Sequence, residues 1–578
     1  MNMSKLYRQR QQRGSVIPCM CFIGGAILGS LVTIVFCISH KVADRIAAVK
    51  GSRPDGSRNK LWNRLKRTTA INHQVQESRL DGRGKALLHF QHQLEPTMPT
   101  ADELKTLQKT LIAKSQGLPD PFLQKKVAVV RGEGSGWIIG STALLAGSKL
   151  VLDKVDKVGC PVDGEWDICW VDGYVGGKLG MGSGNALSHL KPSQIVAPLP
   201  DAYNILGEKR NLLRALQRAA KHFNDESFLR VMPASYELPR QRIELVGAVK
   251  KENDEFKWIA KPSYGSTARG LYLFDKNSKV GIPDASRKGK DGSWIIQQYL
   301  NPLLLKGHKF DLRMHTFVRL NPLRIYVHND AVVRLASVPY QTGTGSKLLD
   351  DKCMHITNQA YQTPKCPLYK KNVDLRQKAV QNSHLWNMGT LMEYLEKNYG
   401  TNTGALIEQM ELLIVKSVLS SDKWRPSKYS NPTDNYFSFL GPDIALDKDS
   451  VPYLLEINAY PTTAVSSPLG VQLKMSMLSE MWRMLGVGGY DRQGRGYSEN
   501  VKSRIDAFCQ NRKCKTSSGE QKILYQFEDE KQYKGSWRLA YPTKEIVTKN
   551  MLWTNSEWLP GHHNKLLHDY ILFDGNHH

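Results

Sequence analysis

At 578 residues the chain is long enough for roughly two to four domains, and 41% apolar with 9% aromatic residues exclude a disordered polymer. Lys and Arg total 80 against 54 Asp and Glu, a formal charge of +26 that points to acidic partners: nucleic acid, anionic lipid, nucleotide or an acidic protein tail. Charge alone does not choose among these, and much of the excess lies before residue 85.

Residues 1–15 form a basic tail carrying Lys5, Arg8, Arg10 and Arg13. The run 16–39, "VIPCMCFIGGAILGSLVTIVFCIS", is 24 residues long and uncharged, against the ~20 apolar residues that cross a bilayer. It predicts a single transmembrane anchor; a cleaved signal peptide is the alternative, but its apolar region is usually only about 7–15 residues long. Basic residues flank both sides, and the heavier cluster after the span leans the orientation toward a cytosolic C-terminal body. The expected localisation is a single-pass membrane protein with a cytosolic catalytic body, a luminal one being left open. Outside the span, Cys160, Cys169, Cys353, Cys366, Cys509 and Cys514 fall in three near pairs. They read either as short-loop disulfides of a lumen or as ordinary thiols. No Asn-X-Ser/Thr sequon follows the span, and no Cys/His spacing reads as a zinc site.

Residues 40–122, basic and rich in Gln, Ser and Arg, read as a stem, with a helical pattern at "ADELKTLQKTLIAKSQG". From 123 to 230, apolar runs alternate with Gly-rich turns and end in the helical "LGEKRNLLRALQRAAKHF", which predicts a small N-terminal α/β domain. From 231 to 470 strand follows strand, interrupted by helical segments around Ser383–Tyr399 and Gly404–Ser420, which implies an α+β core. Residues 471–578 read as a basic C-terminal extension.

Within the core, "PYLLEINAYP" places Glu456 and Asn458 two apart on a strand, on one face, with Leu455 and Ile457 on the other. With Asp443 from the neighbouring "GPDIALD", they make a hard oxygen set suited to Mg²⁺. "WIAKPSYGSTARGLYLF" puts Lys261 at a strand end before a loop with Arg269, where Gly265 and Gly270 let backbone amides approach an anion. It lacks the Gly-Lys-Ser/Thr ending of a P-loop, and a hairpin with a solvated lysine is its plainer reading. Lys309, Asp311 and Arg313 alternate in "KGHKFDLRMHTFV", so they share a face that could equally be a solvated edge, and Arg334 sits in the apolar strand "NDAVVRLAS". "MHITNQA" adds His355, Thr357 and Asn358, with a turn as its plainer reading. Together the set fits a nucleotide-phosphate site with Mg²⁺ bridging the oxygens.

The ordered motifs "WIAKP", "IIQQYLNPLLLKGHKFDLRMHTFV", "LRIYVHNDAVVRLAS", "HITNQA", "FLGPDIALD" and "YLLEINAYP" resemble the tubulin-tyrosine-ligase-like family, amino-acid ligases of the ATP-grasp fold. The resemblance is dense from about Lys257 to Pro461 and fainter on either side. It implies an ATP-grasp core at 231–470, with Lys261 touching the phosphates of ATP and Gln297 and Leu300 at the adenine. It further implies nucleotide contacts from Lys309, Asp311, His355, Thr357 and Asn358, with Lys209 as a less secure addition. Arg313 and Arg334 are implied as the catalytic pair steadying the transferring phosphoryl, and Asp443, Glu456 and Asn458 as Mg²⁺ ligands. Gln298 stands where the family places a lysine, and "SYGSTARG" departs from its loop.

The activity implied is ATP- and Mg²⁺-dependent ligation: an acceptor carboxylate is activated as an acyl-phosphate, which the amine of a free amino acid attacks. Tubulin tails are the implied acceptor and glutamate the expected amino acid. The alternatives are a ligase for another acidic protein and a membrane-tethered pseudoenzyme that docks microtubules. Nucleic-acid binding has only the charge behind it.

Overall fold

The computed structural model describes residues 125–573 apart from internal stretches, the longest being 180–190, 284–292, 422–435, 488–496 and 550–561. The predicted basic tail, transmembrane anchor and stem all lie outside the described residues. The expectation of a single-pass membrane protein is corrected: among the described residues no helix is long and apolar enough to cross a membrane. The longest, Thr403–Leu419 and Pro468–Met484, have 17 residues each and carry charges such as Glu411 and Arg483, short of the ~20 apolar residues a span needs.

The described N-terminal part is a parallel α/β layer. Strand β1 (Lys126–Arg131) leads through helix α1 (Ile138–Leu145) to β2 (Lys149–Lys154), followed by β3 (Ile168–Asp172) and β4 (Ile195–Ala197), in the order β2-β1-β3-β4. The apolar runs of β1, β3 and β4 are buried, as expected of a parallel sheet covered on its faces. Helix α2 (Lys209–Phe223) follows, its N-terminus capped by the Glu208 carboxylate, which accepts from the backbone of Arg210 and Asn211. Its apolar positions, among them Leu212, Leu216, Ala219 and Phe223, recur at helical spacing and are buried.

Two antiparallel sheets then build the α+β core. The smaller has the order β5 (Ser235–Leu238), β8 (Trp294–Gln298), β6 (Trp258–Pro262), β7 (Tyr272–Phe274). The larger, nine-stranded sheet runs from β13 (Leu385–Asn387) through β12 (Val332–Leu335), β9 (His308–Arg313), β14 (Phe437–Leu446), β10 (Thr316–Arg319) and β11 (Arg324–His328) to β16 (Trp537–Tyr541). Off that path, β15 (Pro452–Asn458) pairs with β14 and the two-residue strand Leu304–Leu305 pairs with β9. All ten residues of β14 are buried, and its apolar character suits a strand at the middle of the sheet.

The tail predicted as an extension contributes an edge strand to this sheet, since β16 pairs with β11. A buried ion cluster ties it down: Glu530 accepts from Arg324 Nε at 2.7 Å and Tyr326 Oη at 2.9 Å and also pairs with Arg319. The near cysteine pairs form three disulfides, Cys160–Cys169, Cys353–Cys366 and Cys509–Cys514.

Candidate functional site

Sheet register assembles the site. On β9 the alternation of Lys309, Asp311 and Arg313 holds, and Asp311 lies opposite Arg334 of β12 while Arg313 lies opposite Asp443 of β14. Asp443 in turn lies opposite Glu456, and Gly441 opposite Asn458. Residues scattered over about 150 positions therefore line up on one face of the sheet as a row of neighbouring cross-strand pairs.

Arg334 is the hub of that row. Its Nε donates to Asp311 at 2.8 Å and its Nη2 lies 3.0 Å from Asp443. Arg313 approaches Asp443 from the other side, with Nη2 donating at 2.9 Å. Burial pushes the Asp443 carboxyl up, but the two guanidinium groups outweigh it and hold it at about 2. Burial also opposes the charge of Arg334, yet Asp311 and Asp443 raise its pKa further above the usual arginine range. Gly441 makes this packing possible, because a Cβ there would meet Arg313 Cδ and Pro461 Cβ at 2.9 Å.

The row forms one wall of an open cleft of about 820 Å³. From the smaller sheet, Lys261 reaches in; its Nζ donates to Gln297 Oε1 at 2.7 Å, and Gln297 Nε2 donates to Ser235 Oγ at 2.9 Å. Lys309 Nζ donates to the His355 carbonyl at 2.8 Å and sits 4.7 Å from the Tyr299 ring centroid. Burial lowers Lys261 to about 8, partly offset by Glu456, and lowers Lys309 to about 8, partly offset by Asp311. Lys209, at the start of α2, pairs with Glu456 Oε2 at 3.1 Å and donates to the Gly265 carbonyl at 3.3 Å. Burial raises the Glu456 carboxyl, but Lys209 and Lys261 leave it below its ordinary value.

A helical clasp closes the cleft. Helix α3 (Lys352–His355) and helix α4 (Gln359–Lys365) flank Ile356–Asn358 and are joined by Cys353–Cys366. Gln362, fully buried, donates to the carbonyls of Cys353 and Ile356. His355 Nε2–H donates to the Leu348 carbonyl at 2.8 Å and Nδ1 accepts from Tyr299 Oη at 2.8 Å, and burial, with Lys309 nearby, lowers it to about 4. It is a neutral structural pin at neutral pH.

Of the residues singled out in the sequence, Lys261, Lys309, Asp311, Arg334 and His355 line the cleft, as do Thr357, Asn358, Asp443 and Glu456. Gln297 stands behind Lys261, and Arg313 and Asn458 stand behind Asp443, Asn458 Nδ2 donating to it at 3.3 Å. Leu300 is not among the lining residues. Lys209 belongs fully to the site; its helical context masked it, and only the Glu208 cap marked the helix start beside it. Ile259 and Leu271, not singled out in the sequence, add apolar lining, as does Leu455, which strand alternation alone puts on the face opposite Glu456.

Among the described residues no group of three His, Cys, Asp or Glu stands ready to hold a metal. The donor set nonetheless fits a divalent cation that takes part of its shell from a substrate: two ionised carboxylates on adjacent strands, with no soft ligand beside them. The three lysines and Arg334 around them fit phosphate oxygens.

Comparison with known proteins converges on the same region. The profile of the Tubulin-tyrosine ligase family matches residues 188–487. The human protein described as tubulin monoglutamylase TTLL4 is 31% identical over 305 residues, covering 51% of this chain and 24% of its own length. Human tubulin polyglutamylase TTLL5 is 26% identical over 374 residues, covering 61% and 28%. Tubulin polyglutamylase ttll-4 of Caenorhabditis elegans is 28% identical over 389 residues, covering 61% and 60%. The chain thus spans about a quarter of the length of the two human relatives.

Proposed function

This chain belongs to the tubulin-tyrosine ligase family, and from that premise we propose that it is an ATP- and divalent-cation-dependent ligase joining a free amino acid, glutamate, to carboxylates of acidic protein tails, with tubulin the acceptor. The observation that carries the reading is that row of pairs itself: Arg334 held between Asp311 and Asp443, with Glu456 and Lys309 alongside, facing Lys261 across one cleft. The glutamate and tubulin specificities lean on the names of the relatives.

A carboxylate does not form an amide with an amine at neutral pH unless it first gains a better leaving group. MgATP, when bound, supplies that group by phosphorylating the acceptor carboxylate. Lys261 and Lys309 would hold phosphate oxygens, and their burial concentrates their charge on whatever anion enters. Asp443 and Glu456, with Asn458 supporting Asp443, would hold the cation. Arg334 faces the cleft and would stabilise charge developing on the transferring phosphoryl; Arg313 orients Asp443 from behind. Thr357, Asn358 and the pinned His355 would border the nucleotide. Ile259, Leu271 and Leu455 give a base an apolar lining to pack against. On this reading residues 231–470 are the catalytic core and 123–230 the adjoining α/β domain.

The test is incorporation of radiolabelled glutamate, glycine and tyrosine, offered separately, into purified microtubules by the full chain with ATP and Mg²⁺, beside Glu456→Gln. Glutamate incorporation lost by about 10²–10³ in the variant is the expected result. No incorporation of any of the three by a folded, nucleotide-binding protein would sink the reading.

A further inference from the structure

The segment from Lys365 to Lys378 joins the clasp to the helix Gln377–Gln381 and is not used by the chemistry above. Three of its side chains are large, apolar and exposed: Leu368 (59%), Val373 (74%) and Leu375 (45%). Lys365, Lys370, Lys371 and Lys378 are exposed beside them, and the one acidic residue of the segment, Asp374, is taken by Arg376 at 2.6 Å. Exposed apolar side chains do not belong on a loop free to fold them inward, and this loop is not free. Its root is the disulfide at Cys366. Tyr369 stacks on His384 at 5.5 Å, and Lys370 exchanges backbone bonds with His384, its N–H donating to Nδ1 at 2.8 Å. Buried Asn372 donates to the Asp374 carbonyl at 2.7 Å and accepts from Leu469 N at 3.2 Å.

These anchors also fix where the loop lies. Gln359, which follows the cleft-lining Asn358, donates to Tyr369 Oη at 3.2 Å. Leu469 opens the helix that follows the strand bearing Glu456 and Asn458. The loop therefore joins the two sides of the reactive end of the cleft.

We propose that the Lys365–Lys378 loop is a docking surface for an extended acidic peptide that carries apolar side chains at intervals, and that it guides a carboxylate of that peptide toward Arg334. The lysines complement the peptide's charge, Val373 and Leu375, two apart, offer neighbouring apolar contacts, and the prior anchoring of the loop spares the ordering cost of binding. The proposal rests on the ligase reading for its purpose, but the surface can be tested without catalysis.

The probes are two fluorescein-labelled peptides, one alternating Glu with Leu and one alternating Glu with Gly, titrated with the full chain and read by anisotropy. The Glu/Leu peptide should bind more tightly, and added salt should weaken both. K370E/K371E should weaken both peptides by about tenfold, and V373S/L375S should abolish the preference for leucine. Mg-ATP-induced thermal shift should be unchanged in both variants, which also reports that they are folded. Equal binding by parent and variants overturns the proposal. So does capture of phosphatidylserine vesicles in place of peptide, or a dimer that V373S/L375S converts to monomer, which would make a second copy the occupant. Loop-dependent peptide binding without glutamate incorporation would refute the ligase reading alone; incorporation with an unaltered acceptor KM in both loop variants would refute the docking surface alone.

Discussion

Arg334 and Asp443 show how little freedom the site leaves to single residues. Both are at least 95% buried, and each neutralises more than one partner. Arg334→Ala would leave Asp311 without its guanidinium and Asp443 with only one, so we expect a loss of ~3–5 kcal/mol in urea unfolding, the cost usual for breaking a buried ion pair. Arg334→Lys keeps the charge but not the planar fork, and should recover only part of that stability. The cleft lysines carry a pH prediction. A lysine binds phosphate while protonated, so attraction due to Lys261 and Lys309 is present below their pKa of about 8 and lost as pH rises through it. kcat/KM for ATP, which reports the free enzyme, should therefore be level near pH 7 and decline above about 8. Lys309→Arg, charged throughout, should move that decline upward; an unaltered profile in Lys309→Arg and Lys261→Arg would exclude both groups.

At the scale of elements, the clasp and the C-terminal helices make a controlled comparison. Cys353–Cys366 closes a segment with a sequence separation of 13 that contains His355, Thr357 and Asn358, whereas Cys509–Cys514, with a separation of 5, closes none of the cleft residues. In the chain-entropy account a loop of about 15 residues is worth about 3 kcal/mol. C353S/C366S should thus destabilise the chain by up to that amount and also raise KM for ATP, because the clasp then relies on the hydrogen bonds of Gln362 and His355 without its covalent tie. C509S/C514S should affect stability with KM unchanged. A C353S/C366S variant with parental KM would mean that the buried contacts of His355 suffice to fix the clasp.

For the whole molecule, what could be read from the sequence follows the range of the interactions. Alternation along one strand is local, so Lys309, Asp311 and Arg313 on one face, and Glu456 with Asn458, were legible. Which carboxylate meets which arginine was not, because register between β9, β12 and β14 is set by packing across the sheet and not by either strand's own pattern. For the same reason Lys209 could not be placed from its helix alone. The edge strand Trp537–Tyr541 was lost in a tail whose charge suggested an extension, though Glu530, on the helix just before it, is the fully buried counter-ion of Arg319 and Arg324. The membrane span was inferred from composition alone, and the helices that the structure describes do not supply one. Burial spread so widely has one global consequence. His355, His384 and His568 are lowered to about 4, and His315 well below its ordinary value, in each case by burial first. They belong to the clasp, the base of the docking loop, the C-terminal helix and the main sheet, so no one element contains the effect. An unfolded histidine titrates near 6.5. Between about 6.5 and 4 the unfolded chain therefore binds more protons than the folded one, and stability must fall as pH falls through that window. Asp443 and Glu530, with pKa values below the carboxylate norm, add their losses only at lower pH, near the ordinary carboxylate range and beneath it. Tm should decline steadily from pH 7 to pH 5, and His568→Phe, which deletes a group bonded to Tyr541 Oη at 2.7 Å, should lower Tm at pH 7 while making its decline shallower. A decline of equal slope in parent and variant would show that His568 takes up its proton equally in the folded and the unfolded chain.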